Sequence, residues 1–272
     1  MTGGNLDVPD AWTDVPSDDL TGVVMVVGAA DTGNWLGDQL EARNQNPVYL
    51  DGDPGQGSLG PPSTMTLSSK ETKTSWFVGS SSPRGNMLSV TVGARNLVNC
   101  LHGDKPVLYD TSGLVDPGAG GLYLKRALVD LLRPEAIVAL QHQREIEPIL
   151  EPLRRRSDHK LVKLPVSKAA EPKTQASRRN YRNECYRNYF GGTGTTRLSW
   201  DNKAVWPRID FETNRLVGLC EDSGYCRGLG IVRNIDYDTR QIEVQTPLET
   251  PERVGDLRID PENYVDRIDP LQ

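Results

Sequence analysis

Apolar residues gather into five short, nearly continuous runs: VVMVV at 23–27, PVYLD at 47–51, PVLYD at 106–110, AIVAL at 136–140 and KLVKL at 160–164. Runs of this length without polar alternation predict strands buried on both faces. Between them the period lengthens to that of a helix, in LYLKRALVDLL at 122–132 and REIEPILEPLRR at 144–155. Strands that alternate with helices imply right-handed βαβ units and a parallel sheet. Ligands of such sheets sit at the carboxyl ends of the strands, which is where Gly28, Asp51 and Asp110 fall.

Near residue 167 the pattern changes. SKAAEPKTQASRRNYRNECYRNYFGG is basic and weakly apolar, predicts a helix from about Gln175 to Phe190, and stops at Gly191 and Gly192. Beyond it RLVGLCE, GLGIVRNID and QIEVQTPL alternate between apolar and polar residues and are punctuated by Gly, Asp and Pro, which predicts a small β-rich domain. The expected organisation is a strap or disordered lead-in over 1–20, an α/β domain over 21–166, a basic segment over 167–195 and the β-rich domain over 196–272.

Composition narrows the function classes. A chain of 272 residues supports one large core, or a main domain with an appendage. Its 26 Gly and 19 Pro beside only 3 Phe favour short elements and loops that carry the site. A net charge of -6 argues against nucleic-acid adhesion by bulk charge and leaves that task to local basic clusters. Cys100, Cys185, Cys220 and Cys226 lack CxxC spacing, and His102, His142 and His159 lie apart from them. That arrangement argues against zinc or a disulfide framework and for reduced thiols in a cytoplasmic protein. The start, MTGGNLDVPDAW, has no basic n-region or apolar h-region, and no run approaches the roughly 18 apolar residues of a membrane span.

The candidate chemistry follows the strand ends. Gly28 and Gly33 are separated by four residues, after a buried-strand pattern and before a helical one, which is the layout of a phosphate-binding loop. Asp51 and Asp53 bracket Gly52 after the next run; they can form a turn, or hold Mg2+ while one accepts a proton from an attacking hydroxyl. DTSGLVDPGAGG places Asp110, Thr111 and Gly113 at a third strand end, as a plain Gly-rich turn or as contacts to a phosphate or metal shell. FVGSSSPRGN offers Arg84 to a backbone phosphate. In the basic helix Arg178 and Arg182, four apart, share a face and can reach one polyphosphate or strand, and Tyr181, Tyr186, Tyr189 and Phe190 offer surfaces on which bases stack. A solvated charged helix is the other reading. RRR at 154–156 reads as a helix C-terminal charge cluster.

PVYLDGDPGQGSLGPPSTMTL, FVGSSSPRGN, DTSGLVDPGAGG, RRNYRNECYRNYFGG and GLGIVRNID with IEVQTPL, in this order, resemble the polynucleotide 5'-hydroxyl kinases. These are the P-loop RNA kinases of eukaryotic mRNA 3'-end and ribosomal RNA processing, with archaeal and bacterial relatives. The resemblance spans about residues 22 to 262. It implies a P-loop NTPase-type parallel sheet with flanking helices, a basic helical lid and the small β-rich C-terminal domain. It also implies transfer of the ATP γ-phosphate to the 5'-hydroxyl of RNA or DNA, with Mg2+.

Carried over by position, Gly28, Asp31, Thr32, Gly33, Asn34 and Trp35 form the phosphate loop, and Asp53 orients or deprotonates the 5'-hydroxyl. Asp51 and Asp53 lie at the metal, with Gln56 nearby. Gln56, Ser81, Ser82, Arg84, Thr111 and Arg187 are the expected nucleic-acid contacts, Ser81 to Pro83 matching the clasp on the acceptor strand. Arg178 and Arg182, with Arg187, match the lid that closes over ATP and stabilises charge in transfer. Where some relatives place a base-stacking Trp, this chain has Leu114.

The main departure is at Asn34 and Trp35, where the loop of a working kinase has Lys and Ser or Thr. Loss of the lysine removes charge-assisted hydrogen bonds of roughly 1.5 to 3 kcal/mol each, and a lost preorganised donor costs about 100 to 1000 fold in rate. Trp35 removes the hydroxyl that would bind Mg2+. Three outcomes are open: a divergent member with weak or lost kinase activity that keeps a nucleotide or nucleic-acid surface, an active kinase with substitute basic residues, or a non-enzymatic scaffold whose C-terminal domain binds a protein partner in an RNA-processing complex.

Overall fold

The computed structural model describes residues 21–28, 46–101, 105–141, 143–166 and 174–261. The expectations for 1–20, and for Asp31, Thr32, Gly33, Asn34 and Trp35, lie outside the described residues.

All five apolar runs are strands: β1 (Val23–Gly28), β2 (Val48–Gly52), β5 (Val107–Thr111), β6 (Ala136–Gln141) and β7 (Lys160–Pro165). They pair in parallel in the order β7-β6-β1-β5-β2. Met25 and Val27 pack on one face beneath α1 (Met87–Asn99), α2 (Gly121–Leu132) and α3 (Glu147–Leu153). Val24 and Val26 pack on the other with Leu108, Val138, Leu140 and Leu164. Burial on both faces is why polar alternation is missing from these runs.

The sheet is mixed rather than wholly parallel. Past β2 the chain turns back through β3 (Thr64–Ser68) and β4 (Lys73–Phe77), both antiparallel to their neighbours. β4 then pairs with β11 (Cys226–Asp236) at Ser75 and Cys226. β11 pairs with β10 (Leu216–Cys220), which pairs with β13 (Asp256–Ile259), which pairs in parallel with β9 (Ala204–Trp206). On its other run β11 pairs with β12 (Gln241–Gln245), and β12 with β8 (Thr195–Ser199). The expected β-rich C-terminal region is therefore continuous with the parallel strands in one 13-stranded sheet.

The basic helix, α4 (Gln175–Phe190), has the predicted bounds. Thr174 caps it, its hydroxyl accepting from the Ser177 N–H at 3.1 Å, and Gly191 ends it. Its arginines lie on the outer side, Arg178, Arg179 and Arg187 exposed and Arg182 half-buried. Tyr186 and Phe190 are fully buried against Phe77, Leu216, Leu229 and Ile231. The aromatic residues that could have stacked on bases instead fix the helix across the join of the two strand groups. Burial of two such rings contributes several kcal/mol, which explains how a helix so poor in aliphatic residues is held in place.

Candidate functional site

The carboxyl ends of β1, β2 and β5 meet on one edge, with Asp51 beside Asp110 and Gly52 beside Thr111 in parallel register. Gly28 closes β1 with φ 121°, and a Cβ there would lie 1.8 Å from the Leu140 carbonyl oxygen. Only glycine satisfies both conditions, so the strand exit that opens the phosphate loop depends on it.

The loop after β2 is organised by its own carboxylates. Asp51 accepts the Ser58 N–H at 2.6 Å and the Leu59 N–H at 3.1 Å on one oxygen, and the Asp53 N–H at 3.3 Å on the other. Burial raises its pKa, against the lowering effect of these bonds. Asp53 Oδ1 accepts the Gly55 N–H at 2.8 Å and the Gln56 N–H at 3.1 Å. Asp53 Oδ2 faces the Gly113 N–H at 3.5 Å, across the gap to the loop after β5. Asp51 thus shapes the loop while Asp53 presents its second oxygen outward, a division of labour that identical residue types concealed in the sequence.

Two other segments enclose this loop. Gly55 lies flat against the Ser81 backbone, where a Cβ would come within 2.2 Å of the carbonyl oxygen, so the Ser-rich loop abuts the acid loop directly. Within the Ser-rich loop the buried Ser80 hydroxyl accepts from the Ser82 N–H at 3.1 Å, and the Ser82 hydroxyl accepts from the Arg84 N–H at 3.2 Å. Arg84 itself is exposed. From the opposite side, the Tyr181 hydroxyl donates to the Gly57 carbonyl at 2.7 Å, and Gln56 Nε2 reaches the Arg178 carbonyl at 3.4 Å. Tyr186 OH meets the Ser63 hydroxyl at 2.9 Å. The first turns of α4, carrying Arg178 and Arg182, are thereby held next to Asp53, while Arg187 lies farther along the helix.

Thr111 is turned inward rather than toward the surface. Its hydroxyl donates to the Val26 carbonyl at 2.6 Å and accepts from Lys125 Nζ at 2.8 Å. Lys125 is wholly buried and also donates to the Ser112 carbonyl at 2.5 Å. Sequence reasoning missed this lysine. The signal was present: within LYLKRALVDLL it occupies a position on the same face as Leu128, Val129 and Leu132, all core residues of α2.

Among the described residues no three His, Cys, Asp or Glu side chains converge as a metal cage. Mg2+ commonly needs no such cage, since one or two carboxylates, substrate phosphates and water complete its six ligands. Gln56 Oε1, buried and without a partner, offers a further oxygen in the loop that holds Asp53. This donor set fits Mg2+ bound together with a polyphosphate.

The model for the mRNA cleavage and polyadenylation factor CLP1 P-loop matches residues 32–192, more than half of the chain. The polyribonucleotide 5'-hydroxyl-kinase of Pyrococcus furiosus is 27% identical over 86% of this chain and 85% of its own length. That of Pyrococcus abyssi is 26% identical over 90% of this chain and 91% of its own. In three dimensions the fold is similar to wild-type Clp1p solved in complex with Pcf11p, with a TM-score of 0.65 at 11% identity over 90% of this chain and 75% of that one. Among the described residues no helix is long and apolar enough to cross a membrane. With the sequence match running from the phosphate loop through the basic helix, the chain belongs to the CLP1 P-loop family, that of the polynucleotide 5'-hydroxyl kinases.

Proposed function

We propose that the protein is a divergent polynucleotide 5'-hydroxyl kinase whose acceptor half is intact and whose phosphate half is weakened, so that transfer is slow or lost while a nucleotide or nucleic-acid surface is kept. One observation carries the reading: Asp53 Oδ1 is fixed by two backbone N–H groups while Oδ2 faces the gap between the strand-end loops. A carboxylate so oriented suits the general base of the family reaction.

In that reaction Asp53 Oδ2 takes the proton of the 5'-hydroxyl of an RNA or DNA end. The hydroxyl oxygen bonds to the γ-phosphorus of ATP as the bond to the ADP oxygen breaks. Arg178 and Arg182 approach the transferred group from α4, and Ser81, Ser82 and Arg84 line the side from which the acceptor strand enters. Mg2+, when held by Gln56 and the phosphates, with the carboxylates reached through water, would neutralise charge on the β and γ oxygens and leave Asp53 Oδ2 free for the proton. Asp51 keeps the loop closed behind Asp53. Asn34 and Trp35 withhold the ammonium and hydroxyl that the phosphates and Mg2+ find in a complete loop, and this weakens the step.

The experiment is transfer of labelled γ-phosphate from ATP to a 5'-hydroxyl oligonucleotide by the unaltered chain and by Asn34→Lys, Trp35→Ser. Strong transfer by the revertant alone supports the reading. Equally strong transfer by the unaltered chain overturns the weakened-site reading in favour of substitute basic residues. A non-enzymatic scaffold is a second reading, favoured by Trp206 and Ile209, 61% and 55% exposed beside the edge strand β9, and by the complex in which the similar Clp1p was solved. It leads if neither chain binds ATP or oligonucleotide.

A further inference from the structure

Lys125 is the one cationic side chain that is fully buried among the described residues. It has no carboxylate in hydrogen-bond contact there; its ammonium is held by the Thr111 hydroxyl at 2.8 Å and the Ser112 carbonyl at 2.5 Å. A buried charge with no hydrogen-bonded carboxylate among the described residues is costly, and methionine or leucine would fill an interior helix position of this kind at lower cost. Packing alone therefore does not account for a lysine here.

Its bonds connect the parts that the proposed reaction needs in register. Thr111 Oγ1, which accepts from Lys125, donates in turn to the Val26 carbonyl, two residues before the exit of β1 at Gly28. Ser112, held by its carbonyl, precedes Gly113, whose N–H faces Asp53 Oδ2. Among the described residues the charged groups that face the ammonium are Asp53 from the loop after β2 and Asp110 from β5, and both favour its protonation.

We propose that Lys125 is a positioning residue of the phosphoryl-transfer site: it fastens the exits of β1 and β5 to each other and supplies a positive charge to the strand ends at which a polyphosphate would bind. This rests on the kinase reading of the site above, and it deepens that reading, because the sequence has Asn34 where the loop of a working kinase has its lysine. Burial lowers the lysine pKa to about 7, so a neutral Lys125 amine is poised to take up a proton from water when a polyphosphate binds at the strand ends.

The test is binding of Mg–ATP to the full chain by calorimetry at pH 6.5 and pH 8.5, for the unaltered protein, Lys125→Met and Thr111→Val. The unaltered protein should bind more tightly at the lower pH. Lys125→Met should weaken binding about tenfold at pH 6.5 and lose most of the pH ratio, the equivalent of about one pKa unit of coupling. Thr111→Val, which keeps the charge but cuts the link to Val26, should weaken binding and keep the ratio. If Lys125→Met binds with unchanged affinity and an unchanged ratio, the proposal is overturned and the kinase reading stands. If the unaltered protein binds no Mg–ATP, the proposal is overturned, while the kinase reading is decided separately by transfer and oligonucleotide binding in the Asn34→Lys, Trp35→Ser chain. Should Lys125→Met not melt cooperatively, the Lys125 side chain is titrated by NMR in the unaltered protein. An upward move of its pKa on adding Mg–ATP supports the proposal, and an unmoved value overturns it.

Discussion

Tyr181 of α4 donates its hydroxyl to the Gly57 carbonyl at 2.7 Å, which ties the arginine-bearing helix to the acid loop 124 residues away in sequence. Tyr181→Phe removes that bond and leaves the ring. The expected loss is about 1 kcal/mol in urea unfolding, with faster tryptic cleavage at Arg178 and Arg179. Unchanged cleavage kinetics would show that the bond does not hold the first turns of the helix.

Asp53→Asn keeps an acceptor for the Gly55 and Gln56 N–H groups but abolishes the base. In the Asn34→Lys, Trp35→Ser background it should lower single-turnover transfer by about 100 fold or more. Oligonucleotide affinity, measured by fluorescence anisotropy, should stay within about threefold. A comparable loss of affinity would assign Asp53 to acceptor binding instead of proton transfer.

Folding stability should depend on pH through Lys125. The lysine titrates near 7 in the folded chain against an ordinary 10.5, so between these values the unfolded chain holds a proton that the folded chain has released. Stability then rises with pH across that window, by up to about 1.4 kcal/mol per unit, and the full cost of burial is felt below it. Lys125→Met should flatten this slope in urea titrations at about pH 7.5 and 9.5. A slope equal to that of the unaltered protein would place the titration elsewhere.

Gly28→Ala should be strongly destabilising. It puts an L side chain at φ 121° and drives a Cβ to 1.8 Å from the Leu140 carbonyl oxygen. A loss of at least about 2 kcal/mol is expected in equilibrium unfolding, from strain and from displacement of β6. A loss under about 0.5 kcal/mol would show that the β1 exit relaxes freely.

The sequence made the parallel strands legible because each is buried on both faces and so reads as an unbroken apolar run. The end of α4 was equally plain, since the Gly191–Gly192 pair marks it. β3 and β4 escaped notice because TMTLS and KTSWF mix hydroxyl and apolar residues, with the Thr66 and Ser75 hydroxyls meeting at 3.0 Å across the hairpin. The candidate site was legible as a set of loops at strand ends. What could not be read was orientation: that Asp51 turns into its loop while Asp53 turns out, and that Thr111 points down to Lys125. The Asp51 orientation comes from backbone N–H groups within its own loop, and those of Asp53 and Thr111 from Gly113 and Val26 far along the chain, neither of which residue type alone encodes.

The anchoring of α4 changes what a lid on this fold can be. One part of the helix is bonded to the acid loop through Tyr181 and to Ser63 through Tyr186, while Tyr189 accepts the N–H of Leu229 in β11 at 2.9 Å. A flap swinging from a single hinge would have to break these bonds in sequence. The helix is held at two supports, so movement of its first turns away from the acid loop must break the Tyr181 bond, and movement of its last turns must break the Tyr189 bond or carry β11 along. A strand of the C-terminal group thereby helps to fix the helix that is bonded to the acid loop.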